Sequence, residues 1–357
     1  MQITRRQWLQ ATGAFAAALA IGPRAARAAD LKTVRFGIGQ KAMAPNVINC
    51  VIGEALGYNK EEGFTIKPQA LGGNSNVQVA VDRGDVDIGI GVPSFGLPLL
   101  AKGQWGDALN FYEYTYPYKW DVVVKPGSPI KSYADLKGKK IGVSDFAGTE
   151  YPVTRNVLAS LHIDPDKDVK WVAVGNGVPA GVALDRGAID ALAYYDTGFG
   201  QIEAAGLGMQ FLPRPKDLPM IGGQFLMAKK AMFKDNRDLL AGFGRSVSKA
   251  SRFLLADPAA GAKAFLQMYP EIAPRGSSAE DAVKTVLVAI GRRIKLYEPP
   301  YSNARMGSIS PQEFKTEAEM NGLKIADYSG FYTNELIDAI DNYDVKKVRA
   351  QALAYKR

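Results

Sequence analysis

Among 357 residues there is one histidine, His162, and one cysteine, Cys50. One thiol cannot close an intramolecular disulfide, and one thiol with one imidazole cannot build a thiolate–imidazole zinc site. A nucleophile–base arrangement would have to run through His162. That residue stands in Leu161-His162-Ile163 at a helix end, where it reads as a surface or C-terminal capping side chain. Cys50 falls on an apolar helical stretch and reads as a small buried hydrophobe. Asp145 and Asp196 could pair for acid–base work; they could equally cap turns or meet a ligand amine. No metal or cofactor is expected. The remaining polar and aromatic side chains suit the holding of a small molecule. Gly148-Thr149 precedes a helix running to Leu161, whose free N–H groups could receive an anionic oxygen or be capped by Thr149 itself. Asn74-Ser75 offers the same two readings. Tyr112, Tyr114, Tyr116, Tyr118 and Trp120 alternate as on one face of a strand. Of these, Tyr116 and Tyr118 are the candidates to stack on a planar ligand, with Tyr194 or Tyr195 as the opposite wall. Lys119 and Arg155 could balance a ligand charge.

The elements that must position these groups alternate between strand and helix. Val34–Ile38 is β-rich, Pro45 opens a helical stretch closed by Gly57, and Phe64-Thr65-Ile66, Asn76–Arg83 and Val86–Ile90 follow as strand, helix and strand. Such alternation implies right-handed crossovers and a mainly parallel sheet. Residues 70–87 align with residues 173–190 at eight of eighteen positions, and Lys140–Val143 echoes the first strand, so two units share one plan. The period is far above that of a solenoid, which leaves a two-lobed α/β protein. Leu109–Tyr118 with Trp120–Lys125, and Gln224–Ala228, read as crossovers between lobes; the tail beyond Asp235 reads as helical. The expected division is 29–119 plus 226–357 for lobe 1 and 120–225 for lobe 2. Ligands of open α/β sheets sit beyond the carboxyl ends of strands. That rule selects Gln40, Met43, Asn74, Ser75 and Ser94 in lobe 1, and Asp145, Gly148, Thr149, Asn176, Tyr195 and Asp196 in lobe 2.

The formal charge is +8, from 44 Lys+Arg against 36 Asp+Glu. Part of it sits in residues 1–28, which read as an export signal. Arg5-Arg6 precedes a short apolar run, Ala11–Gly22, and then Ala26-Arg27-Ala28. The paired arginines suggest the twin-arginine route, with the general secretory route as the alternative. Cleavage near Ala28-Ala29 would deliver the chain to the periplasm. It would also remove Arg5, Arg6, Arg24 and Arg27, so +8 − 4 leaves +4. That balance gives no reason to expect a nucleic-acid partner.

Three stretches then carry a resemblance: Gly72-Gly73-Asn74-Ser75 leading into Asp82–Ile88, Leu136–Val143, and Phe331–Ile337. In order and spacing the chain resembles the periplasmic substrate-binding proteins of ABC importers, in the nitrate/sulfonate/taurine group that includes thiamine-pyrimidine-precursor binders. The resemblance implies a type II periplasmic-binding fold, with two Rossmann-like lobes, two crossover strands and a helical C-terminal tail. It implies a monomer that holds a small organic ligand, anionic and/or aromatic, between its lobes. The ligand would pass to the transmembrane subunits of a permease, the protein's only link to the membrane. The alternative it leaves open is an enzyme on the same fold, as in pyrimidine and menaquinone-precursor biosynthesis.

Overall fold

The computed structural model describes residues 31–218 and 220–356; the export signal read over residues 1–28 lies outside the described residues. In chain order the strands are β1 (Lys32–Ile38), β2 (Phe64–Ala70), β3 (Ile88–Gly91), β4 (Ala108–Thr115), β5 (Trp120–Val124), β6 (Lys140–Val143), β7 (Lys170–Ala173), β8 (Ala191–Tyr195), β9 (Gln210–Phe211) and β10 (Gln224–Lys229). They form two five-stranded sheets, β2-β1-β3-β10-β4 and β7-β6-β8-β5-β9. β1 runs parallel to β2 and β3, as β6 does to β7 and β8. The strand entering from the other sheet, β10 or β5, is inserted antiparallel beside β3 or β8. The mixed α/β fold expected from the alternation is therefore present twice.

The longer helices are α1 (Asn74–Arg83), α2 (Pro93–Ala101), α3 (Glu150–Ser160), α4 (Val178–Asp185), α5 (Asp196–Ala204), α6 (Arg237–Ala256), α7 (Pro258–Met268), α8 (Ala279–Ile290) and α9 (Pro311–Met320). The repeated sequence segments occupy equivalent places, β2–α1–β3 and β7–α4–β8. Their shared final aspartate has a structural use. Asp87 accepts from the Arg35 N–H at 2.8 Å, and Asp190 accepts from the Lys140 N–H at 2.7 Å. Each aspartate also donates its own N–H to that residue's carbonyl, at 2.9 Å in both cases. The carboxylate thus fastens the third strand of each unit to the first.

α6 carries apolar residues at helical spacing and buries Leu240, Phe243, Val247 and Phe253 against the first sheet, with Phe243 meeting Phe36 and Phe64 at ring-centroid distances of 5.3 and 5.5 Å. The second sheet buries Val122, Ile141 and Val143 on one face and Val123 and Leu192 on the other, where Leu184 of α4 joins the same cluster. α8 packs on α5 of the second lobe: Arg292 clasps Glu203 through two 2.6 Å bonds. Two segments, 116–119 and 212–223, join the sheets. They are tied to each other where Lys119 Nζ donates to the Gly222 carbonyl at 2.7 Å. Gly222 has φ +81°, and a Cβ there would lie 2.0 Å from the Trp120 ring, so this crossing point needs glycine. Among the described residues no helix is long and apolar enough to cross a membrane.

Candidate functional site

The carboxyl ends of β1, β2, β6, β7 and β8 turn toward one another across a cleft. Gly39, Gln40, Asn46 and Asn74 line it from the first lobe, and Ser144, Asp145, Gly148, Thr149, Glu150, Asn176 and Tyr195 from the second. Lys119, Trp120, Gln224 and Arg293 complete the lining near the crossovers. The free volume there is about 40 Å³, enough for only a few waters. Asn74 Nδ2 donates to Thr149 Oγ1 at 2.7 Å, joining one lobe to the other. Thr149 makes no side-chain cap on α3; its hydroxyl is used across the cleft instead.

Several groups hold the second-lobe loops in place. Asp145 Oδ1 accepts from the Ala147 N–H at 2.9 Å, a local turn of the kind aspartate favours. Tyr194 OH accepts from the Gly177 N–H at 2.6 Å and donates to the Gly175 carbonyl at 3.0 Å. Tyr195 OH donates to Asn176 Oδ1 at 3.2 Å. Glu150, at the start of α3, is 2% exposed and accepts from the Ser144 N–H at 2.8 Å and from the Ser144 hydroxyl. Burial pushes its carboxyl up to about 7, against the pull of the Ser144 bonds.

The cations of the cleft are buried. Arg293 donates through Nε to Asp196 Oδ2 at 2.7 Å and through a second nitrogen to Oδ1. A further nitrogen donates to the Asn46 carbonyl at 2.9 Å. This one side chain therefore bridges the lobes. Burial opposes its charge, and Asp196 more than compensates, so its affinity for the proton is raised. Lys119 lies with Nζ 4.4 Å from the Trp120 ring centroid. Burial, followed by the charge of Arg293, pulls it down to about 7. Three amide oxygens in the lining, Gln40 Oε1, Asn46 Oδ1 and Asn74 Oδ1, are buried without a hydrogen-bond partner among the described residues.

Of the residues selected from sequence, Gln40, Asn74, Asp145, Gly148, Thr149, Asn176 and Tyr195 line this cleft. Asp196 reaches its edge by holding Arg293. The other five lie elsewhere. Met43 packs against the first-lobe core, and Ser75 is half-buried on α1. Ser94 is buried and donates to Glu317. Tyr116 is buried, its hydroxyl accepting from the Gly307 N–H at 2.9 Å. Tyr118 is also buried, beneath the Arg214 guanidinium at 5.0 Å. Arg155 faces outward and pairs with Asp166 through two 2.8 Å bonds. His162 follows α3 with φ +59°, and Cys50 is buried. Asn46, Trp120, Ser144, Glu150, Gln224 and Arg293 join the site without having been selected. Trp120 belonged to the aromatic alternation, and Glu150 adjoins Thr149; Arg293 carries no local signal.

Comparison with known proteins places this geometry. The putative thiamine biosynthesis protein of Haemophilus influenzae is 30% identical over 179 residues, 49% of this chain and 52% of that protein. The 4-amino-5-hydroxymethyl-2-methylpyrimidine phosphate synthase of Aspergillus parasiticus is 24% identical over 243 residues, 61% of this chain and 66% of that protein. The chain thus spans between about half and two-thirds of the length of these curated relatives. A protein of Bordetella bronchiseptica RB50 superposes with a TM-score of 0.66 at 24% identity, over 87% of this chain and 97% of that one. The alkanesulfonate-binding protein of Xanthomonas axonopodis pv. citri gives 0.59 at 19% identity, over 87% and 95%. The periplasmic nitrate-binding protein of Synechocystis PCC 6803 gives 0.58 at 13%, over 92% and 99%. These likenesses establish the type II periplasmic-binding fold, as the sequence resemblance implied. The NMT1/THI5-like pattern matches residues 44–261, more than half of the chain, which therefore belongs to the NMT1/THI5-like family.

Proposed function

We propose that the chain is an extracytoplasmic solute-binding receptor, which captures a small organic ligand between its lobes and delivers it to the permease of an ABC importer. The observation that carries this reading is the cleft itself. Groups from both lobes meet in it, Asn74 with Thr149 and Arg293 with Asp196 and Asn46. A ligand that touches both lobes favours the closed arrangement by its differential affinity, which is the requirement for a ligand-driven switch. The limited room means that an organic molecule enters when the lobes part. The division at residues 29–119 plus 226–357 and 120–225 is the one we propose for that motion. Export as a periplasmic monomer, led by the Arg5-Arg6 signal, belongs to the same proposal.

The lining supports a particular kind of ligand. Trp120 and Tyr195 offer ring faces, and Lys119 offers positive potential to an acidic group. The unpartnered amide oxygens of Gln40, Asn46 and Asn74 call for N–H or O–H donors on the ligand. A ring-bearing organic acid with donors of its own meets all three demands.

The second reading, an enzyme acting on a small heterocycle, is favoured by the relative named as a pyrimidine phosphate synthase and by the buried Glu150 carboxyl in the cleft. One experiment separates them. The purified chain is screened by thermal shift and native mass spectrometry against sulfonates, aromatic acids and pyrimidines. The receptor reading expects a stabilising ligand recovered chemically unchanged, with a more compact scattering profile. A converted ligand overturns it in favour of the enzyme. A bound ligand that leaves the scattering profile identical removes the closure step.

A further inference from the structure

Beside the cleft, and sharing Lys119 with its lining, lies a buried cluster of charged side chains. Glu113 on β4, Glu313 and Glu317 on α9 and Lys119 in the first crossing segment are all buried, between 1% and 4% exposed. They surround the second crossing segment. Lys119 Nζ holds the Gly222 carbonyl. The backbones of Gly222 and Gly223 lie beside the Glu317 and Glu313 carboxyls, respectively. A Cβ on Gly223 would lie 2.2 Å from Glu113 Oε1 and 2.8 Å from Glu313 Oε2, so the two carboxyls flank that residue. Ser94 on α2 donates to Glu317, and Tyr301 donates to Glu313. Tyr116 completes the titratable groups on the β4 side, and the Arg293–Asp196 pair faces Lys119 from the cleft.

Fully ionised, the cluster would hold three negative charges against one positive. Among the described residues, both oxygens of Glu113 lack a hydrogen-bond donor, as does Glu313 Oε2, although the two carboxyls lie within hydrogen-bonding reach of one another. Two carboxylates have no donor to offer each other; one carboxylate and one carboxylic acid do. One proton shared between Glu113 and Glu313 would supply the missing donor.

We infer that Glu113, Glu313, Glu317 and Lys119 form a proton-sharing clamp on the two crossing segments, so that losing the shared proton loosens the hinge and favours the open arrangement of the lobes. In that step the O–H bond between Glu113 and Glu313 breaks, the proton goes to bulk water, and two buried carboxylates are left to repel across Gly223. Burial and then the neighbouring Glu313 push the Glu113 carboxyl well above the ordinary range. Burial also pushes Glu313 and Glu317 up to about 7.

The inference rests on the receptor reading only in taking the lobes to move, and its test needs no ligand. Spin labels at Val79→Cys on α1 and Leu161→Cys after α3, both exposed sites, report lobe separation by pulsed electron resonance. The labels leave the buried Cys50 untouched. On going from about pH 6 to about pH 9, across the range in which raised carboxyls ionise, the wild-type distances should shift toward the open form. In Glu113→Gln, which keeps a donor beside Glu313, they should stay closed. A shift of equal size in Glu113→Gln overturns the clamp while leaving lobe motion intact; wild-type distances fixed at every pH also overturn the clamp and leave ligand-driven closure to its own scattering test. Infrared spectroscopy of the unmodified full chain gives an arm independent of any variant. The carbonyl stretch of a buried protonated carboxyl should be present at neutral pH and lost on alkalinisation. Its absence at neutral pH overturns the proposal even if Glu113→Gln does not fold.

Discussion

Replacing Asp196 by Asn tests whether Arg293 is the buried bridge the structure shows. The side chains of Arg293 and Asp196 are 2% and 5% exposed, and they share two hydrogen bonds. Asn keeps an acceptor for one of those bonds and for the Thr197 N–H that Asp196 also serves at 2.7 Å; what it removes is the negative charge. A guanidinium left buried without its counter-ion costs about 3–5 kcal/mol. The double variant Asp196→Asn with Arg293→Met takes the cation away too, and should recover part of the loss, because no unpaired buried charge remains. An internal control is available in Arg305–Asp338, 53% and 91% exposed. Asp338→Asn should change stability by less than about 1 kcal/mol. The assay is urea denaturation followed by far-ultraviolet circular dichroism, with equal slopes licensing comparison of midpoints. If Asp196→Asn costs no more than Asp338→Asn, or the double variant is no better than the single one, Arg293 is solvated and the bridge between the lobes is refuted.

Thr149→Val and Asn74→Ala each remove the bond that spans the cleft; each should weaken binding of a ligand found by screening by about 5–10-fold, the equivalent of roughly one hydrogen bond, and unchanged calorimetric affinity in both would count against this cleft. Glu150 has its carboxyl raised by burial from 4.5 to about 7, so it favours the folded state fully below the unfolded value and loses that contribution as pH rises through about 7. Glu150→Gln should therefore flatten the fall in stability between about pH 5 and pH 8, by up to about 3 kcal/mol; a pH profile of the melting temperature identical to that of the wild type would exclude the effect. Gly222→Ala should destabilise the chain more than Gly84→Ala, although both residues have a positive φ, because a Cβ at Gly222 meets the Trp120 ring at 2.0 Å whereas one at Gly84 meets nothing within 4 Å. The second change should cost about 1–2 kcal/mol for the left-handed backbone alone, and equal losses in chemical denaturation would show that the crossing point is not packed as described.

The architecture was legible because it is written locally and written twice. Strand and helix periodicity, glycine stops after α1 and α4, and the 70–87 and 173–190 segments report on neighbours a few residues away. Even so, the repeated Asp87 and Asp190 conveyed the plan without conveying their task, which depends on strands about fifty residues distant. The aromatic alternation from Tyr112 to Trp120 correctly marks a buried face, yet β4 stops at Thr115. Tyr116 then turns to the Gly307–Ser308 backbone, 191 and 192 residues further on. Periodicity says that a side chain has a buried side; it does not say whether protein or ligand lies there.

The same limit separates the found from the missed residues of the cleft. The strand-end rule found Gln40, Asn74, Thr149 and Asn176 because a loop leaving a parallel strand must emerge at that edge of the sheet, whatever comes later in the chain. It also selected Ser94, at an equivalent strand end, whose hydroxyl is claimed by Glu317, 223 residues away. Arg293 meets Asp196 across 97 residues and Asn46 across 247, and Glu113 meets Glu313 across the whole second lobe. A buried charge is stable only through partners supplied by the finished fold. Its own neighbourhood in the sequence, whether Gly291-Arg292-Arg293 or Tyr112-Glu113-Tyr114, looks like an ordinary solvated or strand-face position. The groups that tie the lobes together and set their charge are thus the ones for which local pattern carries least information, and they are where substitutions such as Asp196→Asn and Glu113→Gln teach most.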